Sequence, residues 1–514
     1  MRFVEHRLIR EGSLESRTYQ ETILGIAAEN NLLCVLPTGL GKTPIAIVLS
    51  VLRLEKHPGS KILILAPTKP LIEQHLKSFR DVINLPESEF VLLTGKVKPE
   101  EREERYRQAK LIFATPQTVK NDLENGRLDL SDFSLVVFDE AHHSIGDYAY
   151  PYIAKAYLER AQNPRILGLT ASPGGTKEKI KEIMDNLGIE KVEIRTEEDP
   201  DVAPYVKEKR IEWVQVELPQ TFLNIRDSLK KAYEERLKRL KEIGFSKPVR
   251  LVTKRDLLEL QQKLASSDSG GYKKFWGVSL VSQAIKLEHA LGLIETQGIS
   301  SLENYFRKLR SEQARSSKSL VKDRNVKKAM YLTGELHEEG FEHPKITKLC
   351  EIVSEQLEEN PESKIIIFAN YRNMVRNIVS VLSELRNSRP VEFMGQREGL
   401  TQKEQKERIS EFREGKYNIL VTTSVGEEGI DIPEMELAIF YEPVPSEIRS
   451  IQRRGRVGRT KLGKIVILIT KRTRDEAYYW TAYRKEKLMR KMLYGMKEGS
   501  PGKGQLKLKD FKNL

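Results

Sequence analysis

Short apolar runs that stop abruptly at Pro, Thr, Gly or Asp recur along this chain in two separate sets. The first set is "NLLCVLPTG", "KILILAPT", "KLIFATPQ", "SLVVFDEAHH" and "RILGLTASPG", all within residues 1–205. The second is "KIIIFANYR", "PVEFMGQ", "YNILVTTSVGEEG", "LAIFYEP" and "GKIVILIT", within residues 345–475. An antiparallel strand with one wet face would alternate polar and apolar residues. Unbroken apolar strands separated by helical patterns instead imply parallel sheets covered on both faces. Two such sets predict two α/β sheets, each with its ligand site beyond the carboxyl ends of its strands, where these polar punctuation marks fall.

Between the sets, about 215–335, the pattern changes to helical spacing, as in "FLNIRDSLKKAYEERLKRLKEI" and "SLVSQAIKLEHALGLIETQG". The expected organisation is a first sheet domain over 1–210, an inserted all-helical domain over 211–340 and a second sheet domain over 341–480. A basic helix and tail would follow over 481–514. "ASSDSGGYKKFWG" reads as a loop inside the insert.

Charge separates these regions. The net charge is +13, but residues 221–330 carry 24 Lys and Arg against 12 Asp and Glu, and residues 484–514 carry 10 against 3. The rest of the chain is slightly acidic. Concentrated positive charge on two segments points to a polyanion, most simply nucleic acid, against the plainer reading of solvated helical faces. The two cysteines, Cys34 and Cys350, lie far apart without ligand spacing, so neither a disulfide framework nor structural zinc is expected. No run of about 18 apolar residues exists and the N-terminus lacks a signal-like apolar core, so no membrane role and a cytoplasmic location are expected.

"VLPTGLGKTP" places a Gly-Lys-Thr after a strand and before a helix. Backbone N–H groups there can cradle a phosphate, helped by the positive end of the helix. Pro37, Thr38, Gly39, Leu40, Gly41, Lys42 and Thr43 form the candidate loop. Lys42 would neutralise the β- and γ-phosphates of ATP, and the Thr43 hydroxyl would ligate Mg²⁺. Pro44 falls in the first helical turn, where a missing N–H costs nothing. Leu36 departs from the glycine of the general phosphate-loop pattern. A second strand ends in Asp139 and Glu140. Asp139 suits Mg²⁺, and Glu140 suits activation of a water. His142 is expected to couple events rather than bind metal, because no third ligand is near in sequence.

Taken together, "PTGLGKT", "DEAH", "TAS" and "QRRGRVGR", in that order, resemble superfamily 2 helicases. "LPTGLGKT", "TSVGEEGIDIPE", "FYEPVPSEIRSIQRRGR" and "RDEAYYW" resemble the archaeal Hef and FANCM branch, in which Leu before PTGLGKT is usual. The resemblance covers about residues 15–475. It implies two RecA-like parallel-sheet domains with the helical domain inserted. It implies adenine recognition by Gln20 with Arg17 nearby, ribose contact by Asp431 with Gly429, and a cleft-spanning motif of Gln452, Arg456 and Arg459 whose arginines reach the γ-phosphate. Thr170 and Ser172 would link nucleotide state to nucleic-acid grip. Thr68, Lys69, Gly95, Thr115, Thr422 and Ser424 would bind the sugar-phosphate backbone with little sequence preference. The substrate it implies is forked or four-way DNA in replication-fork repair, moved 3′→5′, with other repair proteins and the prokaryotic nucleoid as the setting. The rival is a double-stranded-RNA-responsive ATPase of the RIG-I and Dicer type. For Trp276 two readings compete: a strand-separating or base-stacking aromatic, and an anchor for the insert's own small core. Hef proper carries a nuclease with an ERKxxxD pattern, which this sequence lacks, so no endonuclease activity is expected.

Overall fold

The computed structural model describes residues 3–174, 176–206, 209–242, 245–248, 252–266, 272–394, 401–423, 435–444 and 463–498. The first sheet contains β1 (Leu32–Val35), β2 (Lys61–Leu65), β3 (Phe90–Leu93), β4 (Leu111–Ala114), β5 (Phe133–Asp139), β6 (Ile166–Thr170) and β7 (Lys191–Ile194). Its order is β3-β4-β2-β5-β6-β1-β7, and every pairing is parallel. Strands β1, β2 and β4–β6 are buried almost throughout, because helices cover both faces. Two apolar clusters result, one on each side of the sheet. Strands β5, β6 and β1 are neighbours, so the loops that follow them open onto one place. Leu36 N donates to Thr170 O at 3.1 Å, tying two of these loops together.

The second sheet contains β8 (Lys209–Val216), β9 (Ile365–Phe368), β10 (Pro390–Phe393), β11 (Ile419–Thr422), β12 (Leu437–Phe440) and β13 (Gly463–Thr470), in the order β10-β11-β9-β12-β13-β8. All its pairings are parallel as well. Its edge strand β8 pairs along its whole length with β13, from Lys209↔Gly463 to Val216↔Thr470. The expected boundary at 210/211 therefore falls inside a strand of the second sheet. Residues 209–216 are neither first domain nor helical insert.

The insert is a bundle of α8 (Gln220–Glu242), α9 (Lys254–Ser266), α10 (Tyr272–Thr296), α11 (Ile299–Ser311), α12 (Arg315–Lys322) and α13 (Arg324–Glu338). Its main core joins Phe222, Ile225, Leu229, Leu291, Ile294, Phe306 and Met330. A smaller cluster of Leu237, Leu240, Leu257, Leu280 and Val281 sits at the other end. Contrary to the loop expected across "GGYKKFWG", helix α10 already begins at Tyr272. Trp276 packs against the smaller cluster, while Phe275 beside it is 71% exposed. The anchoring reading of Trp276 matches this placement, since helical periodicity turns one aromatic inward and its neighbour outward.

Helix α14 (Pro344–Glu359) leads into the second sheet domain, and α17 (Arg474–Glu498) leaves it. The two meet the bundle in a buried joint. Lys345, fully buried, pairs with Asp475 and donates to Tyr441 O at 2.9 Å. Arg474 holds Glu288 through its carboxylate at 2.6 Å and its carbonyl at 2.8 Å. His343 Nε2 lies 3.1 Å from Glu295 O, and its Nδ1 accepts from Lys345 N. Helix α17 then runs on to pack against β7 of the first sheet, where Met489 is buried in that domain's core.

Candidate nucleotide and nucleic-acid site

The phosphate loop leaves β1 at Leu36 and enters α2 (Lys42–Lys56) through two left-handed glycines, Gly39 at φ 86° and Gly41 at φ 79°. At that φ a side chain on Gly41 would be strained, and its Cβ would lie 2.3 Å from Gln20 Nε2, displacing that amide. Pro44 lies in the first turn of α2, as expected. The Lys42 ammonium donates to Leu36 O at 3.0 Å and thus spans the mouth of the loop. Behind it Cys34 is wholly buried, and burial pushes its thiol up to about 12, which makes it a core residue rather than a nucleophile.

The loop is braced from α1 (Thr18–Glu29). Tyr19 OH donates to Leu40 O at 2.7 Å, and Gln20 Nε2 reaches Gly41 O at 3.3 Å. Arg17 reaches Tyr19 OH at 3.3 Å and lies 4.9 Å over the ring of Tyr205. Tyr205, in the link towards β8, went unnoticed in the sequence. A lone Tyr in "DVAPYVK" carries no signal there, and only the fold brings it to Arg17.

Asp139 ends β5, and Glu140 follows in the left-handed region at φ 48°, a position that costs a non-glycine residue about 1 kcal/mol or more. Tyr150 OH donates to Asp139 O at 2.7 Å and fixes the main chain there. Burial alone would push the Asp139 carboxyl up. His75 at 2.7 Å, with Lys42 behind it, outweighs burial and holds the group below the usual carboxylate range. Glu140 Oε2 is buried without a hydrogen bond, although His142 Nδ1 is 3.3 Å away. A strained carboxylate with an orphaned oxygen, next to an ionised one and a lysine-capped glycine loop, fits Mg²⁺ and a triphosphate with its attacking water.

A chain of contacts leads away from Glu140. His142 Nδ1 is 3.2 Å from Thr170 Oγ1, which accepts from Ser172 N at 3.1 Å, and Ser172 Oγ donates to Met489 Sδ of α17 at 3.2 Å. The structure thus brings His142, Thr170 and Ser172 into one line between Glu140 and the helix that comes from the second domain.

Thr68 stands at the N-cap position of α3 (Lys69–Val82) and Thr115 at that of α5 (Pro116–Glu124), each at a strand end of the first sheet and neither making a side-chain capping hydrogen bond. Thr68 Oγ1 is buried without a hydrogen bond, and Gly95 has open space around it. Lys69 lies 3.4 Å from Glu73, whose other oxygen accepts from Lys406 of α16 (Gln402–Arg413) at 2.8 Å. A cavity of about 380 Å³ opens between α3 and α16, lined by Lys69, Lys77, Lys406, Arg413, Phe393 and Ile409 among others. Thr422 is fully buried, with its hydroxyl turned to Thr423 O, so it presents no hydroxyl outward. Ser424, Gly429, Asp431, Gln452, Arg456 and Arg459 lie outside the described residues. Among the described residues no cluster of three His, Cys, Asp or Glu could hold a metal by itself, and no helix is long and apolar enough to cross a membrane.

Comparison with known proteins agrees with this arrangement. Residues 17–180 match the DEAD/DEAH box helicase family and residues 344–461 the helicase conserved C-terminal domain. Residues 221–340 match a helical bundle described from putative ATP-dependent RNA helicases. A putative ATP-dependent RNA helicase of Methanocaldococcus jannaschii is 45% identical over 96% of this chain, and an ATP-dependent DNA helicase of Neurospora crassa is 34% identical over 90%. The chain spans 63% of the first relative's length and 41% of the second's. The crystal structure of the Pyrococcus furiosus Hef helicase domain is 47% identical, with a TM-score of 0.74 over 92% of this chain and 100% of that one. The chain belongs to the superfamily 2 ATP-dependent helicases of the Hef and FANCM type, a family that works with ATP and Mg²⁺.

Proposed function

We propose that this chain is an ATP-driven motor that unwinds or branch-migrates forked and four-way DNA, travelling 3′→5′ along one strand, in replication-fork repair. The observation that carries the reading is the line of contacts from Glu140 through His142, Thr170 and Ser172 to α17. It connects the hydrolytic carboxylate to a helix shared by both sheet domains. Thr43 and Asp139 would hold Mg²⁺, which supplies charge neutralisation on the phosphates. Glu140 takes the proton of the attacking water, and Lys42 leaves Leu36 O for the phosphates. Gln20 and Arg17 read the base. As the family resemblance implies, Gln452, Arg456 and Arg459, with Asp431 and Gly429, would complete the site from the second domain.

The cation-lined cleft between α3 and α16 suits a phosphate backbone. The bundle adds exposed Lys230, Lys231, Lys238, Arg239 and Lys241 on α8, and Lys327 and Lys328 on α13, which suit the arms of a branched duplex. Relatives named as DNA helicases favour DNA, including those of Neurospora crassa and Schizosaccharomyces pombe. The name of the Methanocaldococcus relative and that of the bundle family favour the second reading, an RNA-stimulated ATPase.

One experiment decides between them. ATPase stimulation is measured with a DNA fork, a four-way junction, linear duplex DNA and duplex RNA at several salt concentrations. The DNA reading expects branched DNA to stimulate most, with affinity falling steeply as salt rises. Stimulation by duplex RNA alone would replace it with the second reading.

A further inference from the structure

Helix α3 turns Ile72, His75, Leu76 and Phe79 into the first domain. Three of these are apolar, as a core-facing stripe requires. His75 is the exception. It is 5% exposed, its Nε2 lies 2.7 Å from Asp139 Oδ2, and its Nδ1 is buried with no hydrogen-bond partner. An ionised carboxylate can only accept, so Nε2 carries the hydrogen of this bond.

We propose that His75 is the positioning residue for the metal-binding carboxylate. Its Nε2–H occupies Asp139 Oδ2 and holds the group in one rotamer, leaving the other oxygen to Mg²⁺. This rests on the reading of Asp139 as a magnesium ligand and adds the group behind it. Asp139 is then held at two points, by Tyr150 at its carbonyl and by His75 at its side chain. The arrangement is that of an outer group which orients a metal ligand, reached here from a helix that itself begins at the nucleic-acid candidates Thr68 and Lys69. Movement of α3 therefore reaches the metal ligand through one hydrogen bond.

The test uses the affinity of a fluorescent ADP analogue, measured with Mg²⁺ and with EDTA, for the wild type and for His75→Ala, His75→Leu, His75→Gln and Asp139→Asn. Thermal unfolding is followed alongside. His75→Leu fills the core stripe with apolar volume should the alanine variant fold poorly. Removing outer-shell partners costs about 10- to 100-fold in metal affinity. The Mg²⁺-dependent gain in ADP affinity should fall by that order in His75→Ala and His75→Leu, with the EDTA value unchanged. His75→Gln, whose amide Nε2 can donate from nearly the same place, should recover most of it. Full Mg²⁺ dependence in the alanine and leucine variants would overturn the proposal. So would equal losses with and without Mg²⁺, or a glutamine variant no better than leucine. If Asp139→Asn itself keeps the Mg²⁺ dependence, the metal assignment beneath the proposal fails instead.

Discussion

Each sheet domain buries at least one pairing of a basic side chain with a carboxylate, and two of these pairs differ in their surroundings. In the first domain His75 meets Asp139 at the end of β5. In the second Lys345 meets Asp475 where α14, β12 and α17 converge. Orphaned buried atoms do not tell them apart, since Tyr441 OH, Thr470 Oγ1 and Asp475 Oδ1 also lack partners. Backbone strain does not either, since Glu140 follows the first pair in the left-handed region and Arg472, at φ 57°, precedes Asp475 by three residues. What differs is what each pair faces: Asp139 lies beside Lys42 and its loop with two left-handed glycines, whereas Lys345 and Asp475 close a joint of helix and strand ends. The first pair sits where a phosphate could be handled, and the second is a strut.

Breaking the comparison at its phosphate-loop end gives the largest expected effect. Glu140→Gln should lower nucleic-acid-stimulated ATP turnover by about 10²–10⁴, the usual worth of a general base, while nucleotide binding and unfolding temperature hold. A steady-state ATPase assay beside a melting curve reads both.

At the strut the signs reverse. Lys345→Ala leaves a buried carboxylate unpaired and should cost about 3–5 kcal/mol in denaturant unfolding, with turnover per folded molecule kept. The double change Lys345→Met with Asp475→Leu should recover much of that loss.

Next comes pH. Burial, followed by the Lys345 charge, depresses His343 to about 3, and its ring is held neutral between Glu295 O and Lys345 N. Between pH of about 6.5 and 3 the unfolded chain takes up a proton here and the folded one does not. Stability should therefore fall with falling pH by up to about 1.4 kcal/mol per unit from this group. His343→Asn should flatten that share of the slope in urea titrations run at stepped pH.

The smallest effect belongs to the line joining the two regions. Ser172→Ala should cost about 1 kcal/mol of stability, yet lower nucleic-acid stimulation of the ATPase more than its basal rate. A proportional drop in both rates would show that Ser172 carries no coupling.

Strands β1, β2, β4–β6 and β9–β13 and the phosphate loop were legible because burial on two faces writes an unbroken apolar run, and close phosphate approach demands glycine. The edge strands β3, β7 and β8 were not. "KRIEWVQV" alternates as an exposed edge does, and its partner β13 lies some 250 residues later, a pairing no local pattern encodes. His75 stayed hidden inside the helical stripe Ile72, Leu76, Phe79, where one histidine on an apolar face reads as packing. The joint of Arg474, Glu288 and Glu295 depends on two distant segments, α10 and α17, meeting, so its charges looked like ordinary surface ones.

Helix α17 is rooted at Asp475 in one sheet domain and at Met489 in the other. At 1.5 Å per residue its 25 residues make a rod about 37 Å long, of which the stretch between these two anchors takes up about 21 Å. A stiff strut planted in both sheet domains sets the distance between them in this arrangement.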